Sequence, residues 1–236
     1  DKARDTKRHI YQNGINRLQR ADGAILLGEG DPQEVYQLLD EGYPFTFVGK
    51  RNSPQDNISY CAADYVTASM EVTDYLFKNG HRKIAYFRSQ NPTEATQDRI
   101  EGFRAAYQRN NIELNESWIV DVSQGITLDL LLDHLNSGFS AFIAENDDIG
   151  RRILDTGGLS ELECPRDYSL AVFGDPLNPI DDMPGWTHFS IPRRAMGREA
   201  LNLLVNILNV ESNEITEPLR KTLPCTFIQG STVKTV

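Results

Sequence analysis

Four loops of this sequence, with the helix beyond one of them, carry Arg, Asp, Asn and Ser residues whose types suit a polyhydroxylated ligand, among them Arg88, Asn91, Asp98, Arg99, Asp121, Ser123, Asn146, Asp147, Asp148 and Asp175. Arginine offers a planar fork of donors, aspartate accepts from two adjacent hydroxyls, and asparagine does both. Most of them follow a short apolar run. Ser140–Ala144 (SAFIA) ends in Glu145-Asn146-Asp147-Asp148, and Ser169–Phe173 (SLAVF) ends in Gly174-Asp175-Pro176. Lys83–Phe87 (KIAYF) ends in Arg88-Ser89-Gln90-Asn91, with Asp98 and Arg99 on the helix beyond; Trp118–Val122 leads into Ser123. Taken singly, an Asp or Asn after a strand is an ordinary helix cap, and a helical Arg is an ordinary solvated side chain. Their joint placement after successive strands is what points to a ligand.

Catalytic constellations are thin. His9, His81, His134 and His188 fall on helices or turns, with no Ser or Cys nucleophile in a recognisable elbow. His81 follows a helix end, where a capping role explains it. There is no GxGxxG and no Gly-rich phosphate loop with Lys, so nucleotide chemistry is disfavoured. Glu145, Asp147 and Asp148 cluster locally, but the preference of helix starts for negative charge accounts for them. The expectation is a protein that is not an enzyme, with no cofactor and no metal.

The elements that must position these side chains alternate between helices and short apolar strands. Asp5–Arg20 carries Ile10, Ile15 and Leu18 near helical spacing, and Gly23–Leu27 (GAILL) reads as a fully buried strand. Asp31-Pro32 opens a helix that stops at Gly42, followed by the strand Pro44–Gly49. Asp64–Asn79 is a helix with Gly80 as its C-cap, and KIAYF follows as a strand. Further helices are expected over Thr96–Asn110, Leu128–Asn136, Asp148–Gly157 and Arg193–Val210, with a last strand over Thr222–Ile228. Such alternation with short connections specifies an α/β fold: parallel, doubly wound sheet covered by helices on both faces.

Of the 236 residues, 24 are basic and 34 acidic, a net charge of −10, which makes the chain by itself a poor partner for nucleic acid. No apolar run approaches the roughly 18 residues of a membrane span. Asp1–Arg8 is charged, with no apolar leader behind it, which favours the cytoplasm. Cys61, Cys164 and Cys225 are odd in number and widely spaced, and read as free thiols in a reducing compartment.

Several segments together resemble the effector-binding domain of the lac-repressor (LacI/GalR) family of bacterial transcription regulators. They are Asn79–Ala85 (NGHRKIA), Arg99–Phe103 (RIEGF), Ala141–Asp147 (AFIAEND), Gly158-Leu159, Pro165–Leu170 with Asp175 beyond, Trp186-Thr187, and the tail from Leu223-Pro224 to Ser231-Thr232. Their order and spacing agree from about Ala21 to the C-terminus. The resemblance implies two Rossmann-like lobes with parallel sheets, as in periplasmic binding proteins of type I, residues 1–63 and 190–222 forming one and residues 64–189 and 223–236 the other. It implies a homodimer, a small-molecule effector (a sugar or sugar derivative) between the lobes, and operator DNA read by a separate helix-turn-helix domain absent from this chain. Family pocket positions carry over to Arg99, Asn146 and Asp175. The chain is implied to cross between the lobes near Cys61–Asp64, His188–Pro192 and Thr222–Pro224. Asp64, at the head of the helix after the first crossover, and Ser123 join the expected ligand contacts. Trp186 or Phe103 is either an apolar face or, the preferred reading for both, part of the core.

The sequence departs from the family at several points. Phe173-Gly174-Asp175 replaces the usual Gly-aromatic-Asp order, Gly150 stands where the family prefers Ala, and Val122 replaces an aromatic before Ser123. The family domain also opens with a strand, a helix and a second strand before the helix matching Asp5–Arg20, so the first lobe is expected to lack its opening strands. A different class of protein, an extracytoplasmic sugar-binding component of a transporter, shares the same fold expectation; upstream sequence separates the two.

Overall fold

The structure, a computed structural model, describes residues 21–28, 32–53, 57–89, 93–175, 185–209 and 217–236. The helix expected over Asp5–Arg20 lies outside these residues, as do Asp31, Gln90, Asn91, Pro176 and Val210. In chain order the first elements are β1 (Ala24–Leu27), α1 (Pro32–Asp40), β2 (Phe45–Val48), β3 (Tyr60–Ala63), α2 (Tyr65–Lys78), β4 (Ile84–Arg88) and α3 (Glu94–Arg109). They are followed by β5 (Ile119–Asp121), α4 (Leu128–Asn136), β6 (Ala141–Ala144), α5 (Asp147–Gly158) and β7 (Ser169–Val172). The last are β8 (Thr187–Ser190), α6 (Arg193–Asn209), β9 (Arg220–Leu223) and β10 (Thr226–Ile228). The chain divides into two compact units, Asp1–Ala63 with Pro192–Leu223, and Asp64–Ile191 with Pro224–Val236.

In the first unit the strand order is β1-β2-β3-β9, every pair parallel. Val35 and Leu38 of α1 pack with Phe45, Phe47 and Ile58, and the Thr46 hydroxyl donates to the Ala200 carbonyl of α6 at 3.0 Å. The single strand expected over Thr222–Ile228 is two strands, one in each unit. Pro224 separates them, because it has no N–H to give to a ladder.

The second unit holds a six-stranded sheet of order β10-β8-β7-β6-β4-β5, parallel except for β10, which runs antiparallel to β8. Side chains alternate across a strand, so β4 sends Ile84 and Tyr86 to one face and Ala85 and Phe87 to the other. The first face is covered by α2 and α3 through residues such as Leu76 and Phe103. The opposite face is covered by α4 and α5 through Leu131 and Ile153. These four helices each start on a capping side chain: Asp64, Thr93, Thr127 and Asn146 accept from the N–H three residues on. Where α2 crosses α3, a Cβ on Gly102 would stand 2.2 Å from the Val66 carbonyl oxygen. The glycine of RIEGF therefore sets the seating of α3, and with it Arg99 one turn earlier.

His81 caps α2 through its backbone, its N–H donating to the Leu76 carbonyl at 3.1 Å, and its side chain has a separate role. It is fully buried, with Nε2 3.0 Å from the Lys234 carbonyl and Nδ1 2.7 Å from the Ser140 hydroxyl. A carbonyl only accepts, so Nε2 carries the proton and Nδ1 accepts from Ser140. Burial pushes the imidazole below its usual value, and the charges of Lys234 and Arg82 push the same way against the bond to Lys234. The C-terminal tail is thereby fastened to the end of α2, where Val236 also donates to the Asn79 carbonyl at 2.9 Å.

Candidate functional site

Because β4 to β8 of the second unit are parallel, their carboxyl ends share one edge of the sheet. Arg99 on α3 reaches this edge. Its Nε donates to the Phe173 carbonyl at 3.1 Å, and its guanidinium carbon lies 4.3 Å over the Tyr65 ring. A planar cation stacked on an aromatic and bonded through one of five N–H groups is held in orientation while most of its donor fork stays available to a ligand.

Asp175 follows β7. One carboxylate oxygen accepts from the Ile191 N–H at 3.0 Å, and the other lies 3.5 Å from the Ser190 hydroxyl. The reordered Phe173-Gly174-Asp175 turn has a physical reason. Phe173 is fully buried and stacks on Phe189 at 6.0 Å, while Gly174 takes φ +136°, a left-handed value that swings the chain to Asp175. Asp64 heads α2 and accepts from the Thr67 N–H at 3.0 Å. Cys225, just before β10, packs against the core of the same unit. Burial pushes its thiol up to about 12, Arg99 opposes that shift, and Asp64, Asp175 and Glu71 add to it. Arg99, Asp64 and Asp175 thus lie within electrostatic range of one thiol.

Asn146 caps α5, its side-chain oxygen accepting from the Ile149 N–H at 3.0 Å. The preceding Glu145 turns away from solvent and is 3% exposed. Its carboxylate accepts from the Ser89 N–H at 2.8 Å, the Ser89 hydroxyl at 2.7 Å and the Thr96 hydroxyl. Asp147 and Asp148 pair instead with Arg151 and Arg152. The acidic run is therefore dispersed, and no group of three or more potential metal ligands occurs among the described residues.

The remaining expected contacts sit elsewhere. Ser123 belongs to the β5 loop, its N–H donating to Asp121 at 2.9 Å, and Asp121 lies 3.7 Å from Arg88. The bonds from Ser123 hold the Asp121 carboxyl below its usual range. Trp186 is packed in the core at 5% exposure rather than presented as an apolar wall. A Cβ on Gly150 would meet its ring carbons at 3.1 Å, so the missing methyl of Gly150 is the space the indole fills. Phe103 is fully buried as well. The aromatic beside Arg99 is Tyr65, which sequence reasoning missed although its place just after the Asp64 crossover was a usable signal. Glu145 was legible only as part of an acidic run.

The arrangement offers a donor fork, two carboxylates, an amide and an aromatic ring. Those groups can bind a small hydroxylated molecule. Among the described residues no histidine addresses a nucleophile on this edge: His134 and His188 each lie against a backbone carbonyl.

Fold and site together define a ligand-binding α/β domain, and the comparisons place it. Residues 73–233 match the family of periplasmic binding protein-like domains, and the chain belongs to that family. Within it, the chain is an effector-binding domain of the LacI/GalR type. The HTH-type transcriptional regulator CelR of Thermobifida fusca is 28% identical over 222 residues, covering 91% of this chain and 64% of that regulator. The solved complex of the transcriptional regulator CelR with cellobiose is 25% identical with a TM-score of 0.74, covering 94% of this chain and 69% of that one. A LacI family transcriptional regulator from Enterococcus faecium with bound ribose shares the fold at 20% identity and a TM-score of 0.74, covering 94% and 84%. The chain spans less than two thirds of the curated relatives it matches, 64%, 60% and 62% for the first three. Among the described residues no helix is long and apolar enough to cross a membrane.

Proposed function

We propose that the chain is the sensing domain of a sugar-responsive transcription regulator, which binds a sugar or sugar derivative and catalyses no reaction. Arg99, Asp64, Asp175 and Asn146 are the polar contacts, Tyr65 is the apolar face, and Ser123 stands on the adjoining loop. The observation that carries this reading is Arg99, stacked on Tyr65 and bonded to the Phe173 carbonyl two residues before Asp175, at the carboxyl edge of a parallel sheet. The relatives named as HTH-type regulators support a regulator over a transport component. In this reading the whole protein is a cytoplasmic homodimer that meets operator DNA through a helix-turn-helix domain. The effector changes DNA affinity by biasing one arrangement of the domain, for which a coupling of about 1–3 kcal/mol is enough.

A thermal-shift screen tests it. Cellobiose and ribose, which the solved relatives bind, come first, followed by other sugars, sugar phosphates and purines. A true effector raises the melting temperature and is recovered unaltered, and Arg99→Ala abolishes the shift. Sedimentation of the purified chain gives twice its monomer mass. The reading fails if no sugar or sugar derivative shifts the transition, or if Arg99→Ala responds like the parent chain.

A further inference from the structure

A buried carboxylate at the same edge, that of Glu145, is not among the ligand contacts proposed above. Glu145 ends β6, and its own N–H donates to the Phe87 carbonyl of β4 at 2.9 Å. Its side chain takes three further bonds, two from Ser89 at the end of β4 and one from Thr96 in the first turn of α3. Thr96 is one helical turn before Arg99, on neighbouring positions of one helix surface. Asn146, next in the chain, caps α5. One carboxylate thus ties the ends of two strands to the start of one helix and adjoins the start of another. The pairing is costly to lose, because a buried donor left without its acceptor forfeits its solvation as well as its bond. Thr96 itself is 3% exposed, so water does not readily replace the missing partner.

We propose that Glu145 is a positioning residue for the ligand edge, fixing where Arg99 and Asn146 stand before any ligand arrives. This rests on the reading of those two side chains as ligand contacts. Loops after parallel strands are the mobile parts of such a fold, and the carboxylate removes that freedom at this point. The ligand then meets a donor fork already in place, which lowers the entropic cost of binding.

The test uses the ¹⁵N-labelled chain without ligand, so its result does not depend on which sugar the protein binds. Arg99 Nε–H and the Asn146 side-chain amide are followed by NMR in the parent chain and in Glu145→Met, which keeps the volume but offers no comparable acceptor. Both signals are expected to shift and Arg99 Nε–H to exchange about tenfold faster, while the backbone amides of Ile143 and Leu170 keep their protection. Glu145→Gln, whose amide can both accept and donate, restores most of the Arg99 protection. Unchanged Arg99 and Asn146 signals in Glu145→Met overturn the proposal, as does an equal loss of protection across the sheet. Should Glu145→Met not fold, Thr96→Val removes the bond to α3, together with the 3.2 Å contact between the Thr96 and Thr93 hydroxyls, and keeps both Ser89 bonds. It is expected to move the Arg99 signal and spare Asn146, whereas Thr93→Val is expected to leave the Arg99 signal in place. An unmoved Arg99 signal in Thr96→Val overturns the proposal equally.

Discussion

His81 shows how a single side chain makes this fold sensitive to acid. The neutral ring fits its two partners, since Nε2 donates to a carbonyl and Nδ1 accepts from a hydroxyl. Protonation adds a second donor where an acceptor is wanted and places a charge in a fully buried site. The folded-state value lies below the 6.5 of a free imidazole. Its contribution to stability is therefore fully present above that pH and is lost as the pH falls from 6.5 towards the folded value. The melting temperature should decline across that window, and His81→Gln should flatten the decline while lowering the melting temperature at neutral pH. Parallel pH profiles of the two proteins decide it, and an unchanged slope in the variant means that His81 is not the acid-sensitive group.

At the scale of an element, α5 carries a contradiction that only its neighbours explain. Gly150 in the first turn of a helix costs about 1 kcal/mol relative to alanine. Yet an alanine methyl there would press on the Trp186 ring at 3.1 Å and on Val172 at 3.3 Å. Overpacking of a core typically costs about 1–3 kcal/mol, so Gly150→Ala should be destabilising in urea denaturation. In a Trp186→Leu background the same alanine should stabilise, giving a coupling of at least about 1 kcal/mol between the two positions. Additive effects would show that the indole does not occupy the glycine's space. Much of the architecture was legible without such neighbours, because apolar runs such as AFIA and SLAV alternate with capped amphipathic helices. β3 and β8 were not: Tyr60-Cys-Ala-Ala and Thr187-His-Phe-Ser become strands only because flanking strands offer them ladders. The site divides the same way. That Asn146 and Asp175 follow strands was readable, which is what made them candidates. The neighbours of Tyr65, Glu145 and Cys225 were not, because they depend on which strand ends meet in space, although Tyr65's place beside Asp64 was a usable signal.

The whole molecule is governed by its charge. Twenty-four basic residues face 34 acidic ones, and many of the basic side chains are already engaged. Arg88, Arg104, Arg109, Arg151, Arg152, Arg166 and Lys221 each lie against an Asp or Glu. Phosphate binding draws its free energy from unpaired Lys and Arg displacing the counterions condensed on the polyanion, and a net charge of −10 opposes a polyanion's approach. The chain should therefore leave the fluorescence anisotropy of a labelled DNA duplex unchanged. Low salt is the demanding condition, because screening is weakest there and any basic patch would show itself. Adding the sugar that raises the melting temperature should change nothing if, as proposed, the sugar acts on this domain and DNA contact belongs to a separate one. An anisotropy rise at low salt that disappears steeply as salt is added would reveal a phosphate-binding surface on this chain. The separation of sensing from DNA contact would then have to be abandoned, even with the sugar site intact.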